Sequence, residues 1–131
     1  MSVRFFRLDK QGVERNIRAY ARQLAEDPSV LAVVLFGSLA RGEATAMSDA
    51  DVLILLRDSP RPFHERIPGF LRSGVGISLD VFPYTLSEAT QALREGWGVV
   101  AIALREGIWL VDKGRVKEQL LAMLPVAEAE R

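Results

Sequence analysis

The run VLAVVLFGS, Val30 to Ser38, followed across a polar spacer by DADVLILL, Asp49 to Leu56, is the stretch on which the reading of this chain turns. Val30 to Phe36 is continuous, apolar and rich in β-branched residues, the pattern of a strand covered on both faces. Gly37-Ser38 ends it. Leu39 to Arg41 predicts a short helix beginning at Ser38, a residue type favoured at helix N-caps. Gly42 to Ser48 is a loop of small and polar residues, and Asp51 to Leu56 predicts the second strand, with Asp49-Ala50-Asp51 at its start.

Upstream, Val13 to Ala25 reads as an amphipathic helix. Ile17, Tyr20, Ala21 and Leu24 recur at helical spacing with arginines between them, and Asp27-Pro28 ends the pattern. The arginines at 15, 18 and 22 are expected to form a solvated face. Downstream, Arg57 to Gly76 is hard to read. Phe63, Ile67, Phe70 and Leu71 have helical spacing, but Pro68-Gly69 interrupts them, which predicts one short helix or two broken turns. Ile77 to Tyr84 predicts the third strand, Ser87 to Glu95 a helix capped by Ser87, Val99 to Arg105 a further turn or two of helix, Ile108 to Val111 a fourth strand, and Arg115 to Leu124 a closing helix. The expected class is α/β (α+β), a mixed sheet of three or four strands with flanking helices, since few links are single-helix crossovers. It forms one domain, residues 1–131, with a core over about 13–112.

Composition excludes several kinds of chemistry. Seventeen basic residues balance seventeen acidic ones, so there is no net field for non-specific nucleic-acid binding. There is no cysteine and a single histidine, His64, which rules out thiolate catalysis, disulfides and cysteine or paired-histidine zinc sites. His64 is expected to be an exposed loop residue, and Trp97 and Trp109 are expected to pack rather than stack on a base. The longest apolar run is too short to span a bilayer, and no signal-peptide pattern opens the chain; a cytoplasmic location without membrane contact is expected.

What remains is a set of acids and a turn. Residues two apart in a strand share a face, so Asp49 and Asp51 project side by side. Neighbouring carboxylates repel unless a cation lies between them, and hard oxygen donors suit Mg²⁺ or Mn²⁺. Asp80 interrupts the otherwise apolar Ile77 to Phe82, where a buried, unpaired carboxylate would be costly. If its strand lies beside Asp49 and Asp51, the three acids converge, and two ions roughly 3.5–4 Å apart become possible. Gly37 lets the backbone approach a ligand, and Ser38 with the amides after it offers an anion site. Each feature also has a plainer reading: a simple turn, a cap, a residue on the exposed face of a sheet.

Together, Gly37-Ser38, the spacer, Asp49-Ala50-Asp51 and the hydrophobic-Asp-hydrophobic strand around Asp80 resemble the nucleotidyltransferase fold of the polymerase β superfamily. The small size resembles the minimal nucleotidyltransferases, the MNT proteins of prokaryotic MNT/HEPN pairs. Leu35 to Leu56 carries the likeness most closely, and it extends more loosely from about Val13 to Asp112. The resemblance implies Mg²⁺-dependent transfer of a nucleoside monophosphate, AMP from ATP, to a hydroxyl, with release of pyrophosphate. It implies that Asp49 and Asp51 hold both metals and that Asp80 completes the catalytic metal site and helps activate the hydroxyl. Gly37 and Ser38 would hold the β- and γ-phosphates; Arg41 would add a phosphate contact or remain a solvated loop residue.

The acceptor implied is a tyrosine of a HEPN toxin, which would make the chain an antitoxin. Two alternatives stand beside it: an aminoglycoside-type small-molecule transferase completed by homodimerisation, and a nucleotide-binding subunit that blocks a HEPN partner without turnover. Little more than one helix follows the last expected strand, so the acceptor surface is expected to come from a partner, a second copy or a small cleft.

Overall fold

The first helix is longer than its apolar spacing alone requires. In the computed structural model, which describes residues 9–45, 48–96 and 98–124, α1 spans Lys10–Ala25 because Asp9 caps it, its side chain accepting from Gly12 N at 3.0 Å. Val13, Ile17, Tyr20, Ala21 and Leu24 form its buried face, and Arg15, Arg18 and Arg22 stay exposed as expected.

Every residue of β1 (Val30–Phe36) is buried. β2 covers Asp49–Leu56 and so includes both acids of the Asp-Ala-Asp segment, because Asp49 and Ala50 pair with Ser78 and Leu79. The difficult segment resolves into a four-residue helix, α2 (Phe63–Arg66), that tightens into a 3-10 turn (Ile67–Phe70) around Pro68. His64 lies on α2 and is exposed, so the expected loop is a helical turn there. Then come β3 (Ser78–Thr85), α3 (Leu86–Glu95), α4 (Val99–Glu106), β4 (Ile108–Asp112) and α5 (Val116–Leu121).

The sheet is mixed, in the order β3-β2-β1-β4. β2 and β3 run parallel, while β1 is antiparallel to β2 and to β4. Its two faces bury separate cores. On one, α1 packs over Val33, Leu35, Val52, Ile54 and Val81, joined by Ile67 and Phe70 of the β2–β3 connection. That connection is fastened to α1: the Tyr20 hydroxyl donates to Phe70 O at 2.6 Å, and Asn16 Nδ2 donates to Val75 O at 2.9 Å. On the other face α3, α4 and α5 cover Val34, Phe36, Leu53 and Leu55, with Phe82, Tyr84 and Trp109 half-buried at the margin. Trp109 packs as expected, although its indole N–H is buried with no partner among the described residues. Trp97 lies outside the described residues.

Three further expectations give way. Leu39 to Arg41 is a turn, not a helix: Arg41 N donates to Gly37 O, Gly42 N to Leu39 O and Glu43 N to Ser38 O, and Gly42 leaves the helical region at φ 77°. The cap of α3 is Thr85 rather than Ser87. Thr85 accepts from Glu88 N and Glu88 returns the bond to Thr85 N, a reciprocal box that Ser87 has no matching acid to form. The closing helix α5 is shorter than 115–124, because Gly114 at φ 69° and Arg115 at φ 59° break the chain before it.

One buried charge is unexpected. The Arg66 side chain, 5% exposed, donates to Pro83 O and Arg61 O and forms a two-bond pair with Glu88 at 2.7 and 3.0 Å. It locks α2, the end of β3 and the start of α3 into one unit. Among the described residues no helix is long and apolar enough to cross a membrane.

Candidate active site

The register of the sheet brings the acids together. In the parallel β2–β3 pair Asp51 lies opposite Asp80, and Asp49 lies opposite Ser78. Side chains alternate along a strand. Asp49, Asp51 and Asp80 therefore share a face with Leu53 and Phe82, the face carrying α3 and α4. They sit where β2 and β3 begin. Asp49 and Asp80 are exposed and Asp51 is half-buried.

The placement of Asp80 corrects the reason for singling it out. It is not a carboxylate trapped in an apolar strand. Its neighbours Leu79 and Val81 point to the α1 core, while Asp80 points the other way into the open. What marks it is its position beside Asp51.

The electrostatics follow from this geometry. Burial, then the charges of Asp80 and Asp49, push the Asp51 carboxyl above its ordinary range, and Arg41 pulls it back. A divalent cation would relieve that repulsion, and three hard carboxylates fit such an ion in donor chemistry. Among the described residues no three acids or histidines already close around a single point.

The turn after β1 lies at the same end, because Phe36 pairs with Asp51. Gly37 takes φ 79°, in the left-handed region that favours glycine. It is also packed against Asp51: a Cβ at position 37 would overlap Asp51 Oδ2 and stand 3.1 Å from its Cγ. Ser38 is half-buried. Within the turn the amides of Arg41, Gly42 and Glu43 are taken by Gly37, Leu39 and Ser38 carbonyls. The amides of Ser38, Leu39 and Ala40 donate to no acceptor among the described residues, and consecutive open amides of this kind form an anion nest.

Arg41 is on the acid side too, but engaged. Nε donates to Glu43 at 2.8 Å and Nη1 to Glu106 at 2.9 Å. Neither pairing is legible in the sequence, and Glu106 lies 65 residues away in the chain. A cavity of about 250 Å³, floored by Ile17, Leu35, Leu39 and Leu110, lies on the α1 face, across the sheet from the acids.

The nucleotidyltransferase domain family matches residues 15–110. Among solved structures, a mutant of the toxin–antitoxin pair MntA–HpeT is 22% identical, with 82% of this chain and 78% of that one covered at a TM-score of 0.54. A toxin–antitoxin complex with AMP-PNP is 19% identical over 86% of this chain and 81% of that one, TM-score 0.52. A third, an MNT antitoxin in complex with a tri-AMPylated HEPN toxin of Shewanella oneidensis, is 19% identical over 93% and 92%, TM-score 0.51. At such identities the likeness speaks for the fold. No curated protein matches the chain.

Proposed function

This chain belongs to the nucleotidyltransferase domain family and is a nucleotidyltransferase, and we propose that the acid end of its sheet moves AMP from ATP to a tyrosine hydroxyl of a HEPN-domain partner. The observation that carries the site assignment is the alignment of Asp51 with Asp80, beside Asp49, on the α3/α4 face, with Asp49 and Asp80 exposed.

Asp49, Asp51 and Asp80 would hold Mg²⁺, with Mn²⁺ as the substitute. The ion, when bound, supplies neutralisation of the triphosphate charge and eases ionisation of the attacking hydroxyl. The protein's own work is placement. The open amides of Ser38, Leu39 and Ala40 and the Ser38 hydroxyl receive the β- and γ-phosphates, fixing the leaving group at the end of β1. Gly37 brings that turn into contact with Asp51, so phosphate seat and acids form one surface. Asp80, at the outer edge, faces the incoming hydroxyl and takes its proton. The hydroxyl oxygen forms a bond to the α-phosphorus while the bond from that phosphorus to the bridging oxygen breaks; pyrophosphate leaves with the electron pair. Most of the acceleration is then positioning and charge compensation.

The HEPN acceptor is supported by the toxin–antitoxin complexes among the structural neighbours. It also suits a site in which Asp49 and Asp80 are exposed. The test uses ATP labelled at the α-phosphate, Mg²⁺, and the product of the adjacent gene. Label is expected on a partner tyrosine, absent with Asp51→Asn or Asp80→Asn, both of which should fold. Label on a small hydroxyl compound alone would replace the acceptor. Undiminished transfer by Asp80→Asn would remove that residue from the site.

A further inference from the structure

The turn after β1 is tied to a distant part of the domain through one side chain. Arg41 reaches Glu43, its neighbour on the turn, and Glu106, the last residue of α4. Glu43 is 64% exposed and travels with the turn. Glu106 is 31% exposed and anchored. Gly107 N donates to Ala103 O at 2.8 Å, and a Cβ on Gly107 would run into Ala103 O and the Val34 side chain. The end of α4 is thus pressed against the middle of β1, and Glu106 is fixed relative to the sheet. Its bond to Glu106 at the end of α4 keeps Arg41 on the α3/α4 face of the sheet, the face that also carries the three aspartates.

We propose that Glu106 is a positioning residue for nucleotide binding: it holds the Arg41 guanidinium at the border between the phosphate turn and the acids, so that the cation meets the triphosphate already oriented. The inference rests on the reading that this end of the sheet binds a nucleoside triphosphate. A free arginine loses much rotamer freedom when a ligand captures it, and prior fixing removes part of that loss from the binding step. Neither glutamate bond uses Nη2, so the fork keeps a donor edge for a phosphate oxygen. Ion pairs this exposed add little to stability, so the effect falls on ligand affinity rather than on folding. The opposite device is also physical: two glutamates outweigh one arginine, and a restraint that kept the cation from the phosphates would weaken binding.

The experiment measures the Kd of AMP-PNP with Mg²⁺ on the full chain, and KM and kcat for ATP in transfer to the partner. Glu106→Gln is expected to raise Kd and KM about tenfold with kcat within about twofold, a loss of uniform binding. Glu106→Asp should recover part of the affinity. In an Arg41→Ala background Glu106→Gln should change nothing further, because its effect runs through the guanidinium. Thermal midpoints of all variants should stay near wild type. Unchanged or tightened binding by Glu106→Gln, or full additivity with Arg41→Ala, overturns the inference while leaving the site assignment standing. Failure of the wild type to bind the nucleotide, or transfer by Asp51→Asn at the wild-type rate, overturns both.

Discussion

Gly37→Ala is the substitution that separates backbone strain from damage to the acids. At φ 79° the backbone is left-handed, and an alanine there costs about 1–2 kcal/mol. Gly42, five residues on in the same turn, has φ 77° and the same dihedral cost, but a Cβ there meets nothing within 4 Å. The Cβ at position 37 instead overlaps Asp51 Oδ2. Both variants should therefore carry the common strain, a fall in thermal midpoint of roughly 3–8 °C for a domain of this size. Only Gly37→Ala must also swing the Asp51 carboxylate aside. A misplacement of about 1 Å in a positioned group can cost on the order of 10²-fold in rate, so transfer of labelled AMP should fall by that order in Gly37→Ala and by less than about threefold in Gly42→Ala. The two are compared at a temperature where both are folded by circular dichroism. Equal transfer by the two variants refutes the claim that the glycine sets the position of Asp51.

Asp51→Asn removes a carboxyl that binds its proton more tightly in the folded chain than in the unfolded one. Its ionisation opposes folding above the raised pKa, and that penalty fades as pH falls through it. The variant should be more stable than wild type at neutral pH, with the gap closing in acid; thermal midpoints across pH check this, and a less stable variant at neutral pH contradicts it. Glu88 has the opposite sign. Its bond from Arg66 holds the carboxyl below the ordinary range, so its contribution is present above the unfolded carboxylate pKa and is lost as pH falls through the folded one. Arg66→Met should cost about 3 kcal/mol, the low end for breaking a buried pair because Glu88 stays partly exposed, measured by urea denaturation; a loss under a third of that refutes the structural role. Mg²⁺ with AMP-PNP should raise the wild-type thermal midpoint by an amount that grows with ligand concentration, and the rise should vanish in Asp49→Asn/Asp51→Asn.

The parts of this fold that were readable from the chain are those whose cause is local. β1 and β2 announce themselves as β-branched apolar runs, α1 by its apolar spacing, and the common face of Asp49 and Asp51 by the two-residue period of a strand. The mixed sheet follows from the connections, and it is what the structure has. Asp80 stands out in the sequence for its apolar neighbours, a burial that the fold does not give it. Apolar neighbours in a strand describe the opposite face, and the exposure of Asp80 depends on what packs on its own face, which no window of sequence contains. The cap of α3 was legible and misread: Thr85-Leu-Ser-Glu88 carries the reciprocal capping spacing, whereas Ser87 is merely a residue of the right type. Arg66 and the Arg41–Glu106 pair could not be read, because a charged residue in a polar segment looks solvated until the partner that buries it is known.

The position of β1 in the strand order has a consequence for how the chain is made. Synthesis is vectorial, and β2 follows β1 closely, but the opposite edge of β1 waits for β4: Val33 pairs with Val111 and Ala32 with Asp112. While the intervening helices emerge, the uncharged, β-branched run Val30 to Phe36 presents a bare row of backbone donors and acceptors. Chains halted on the ribosome before Ile108 should be sticky clients of chaperones, and those released there should aggregate. A five-residue strand that carries none of the three aspartates is thereby what ends the nascent chain's exposure to its siblings.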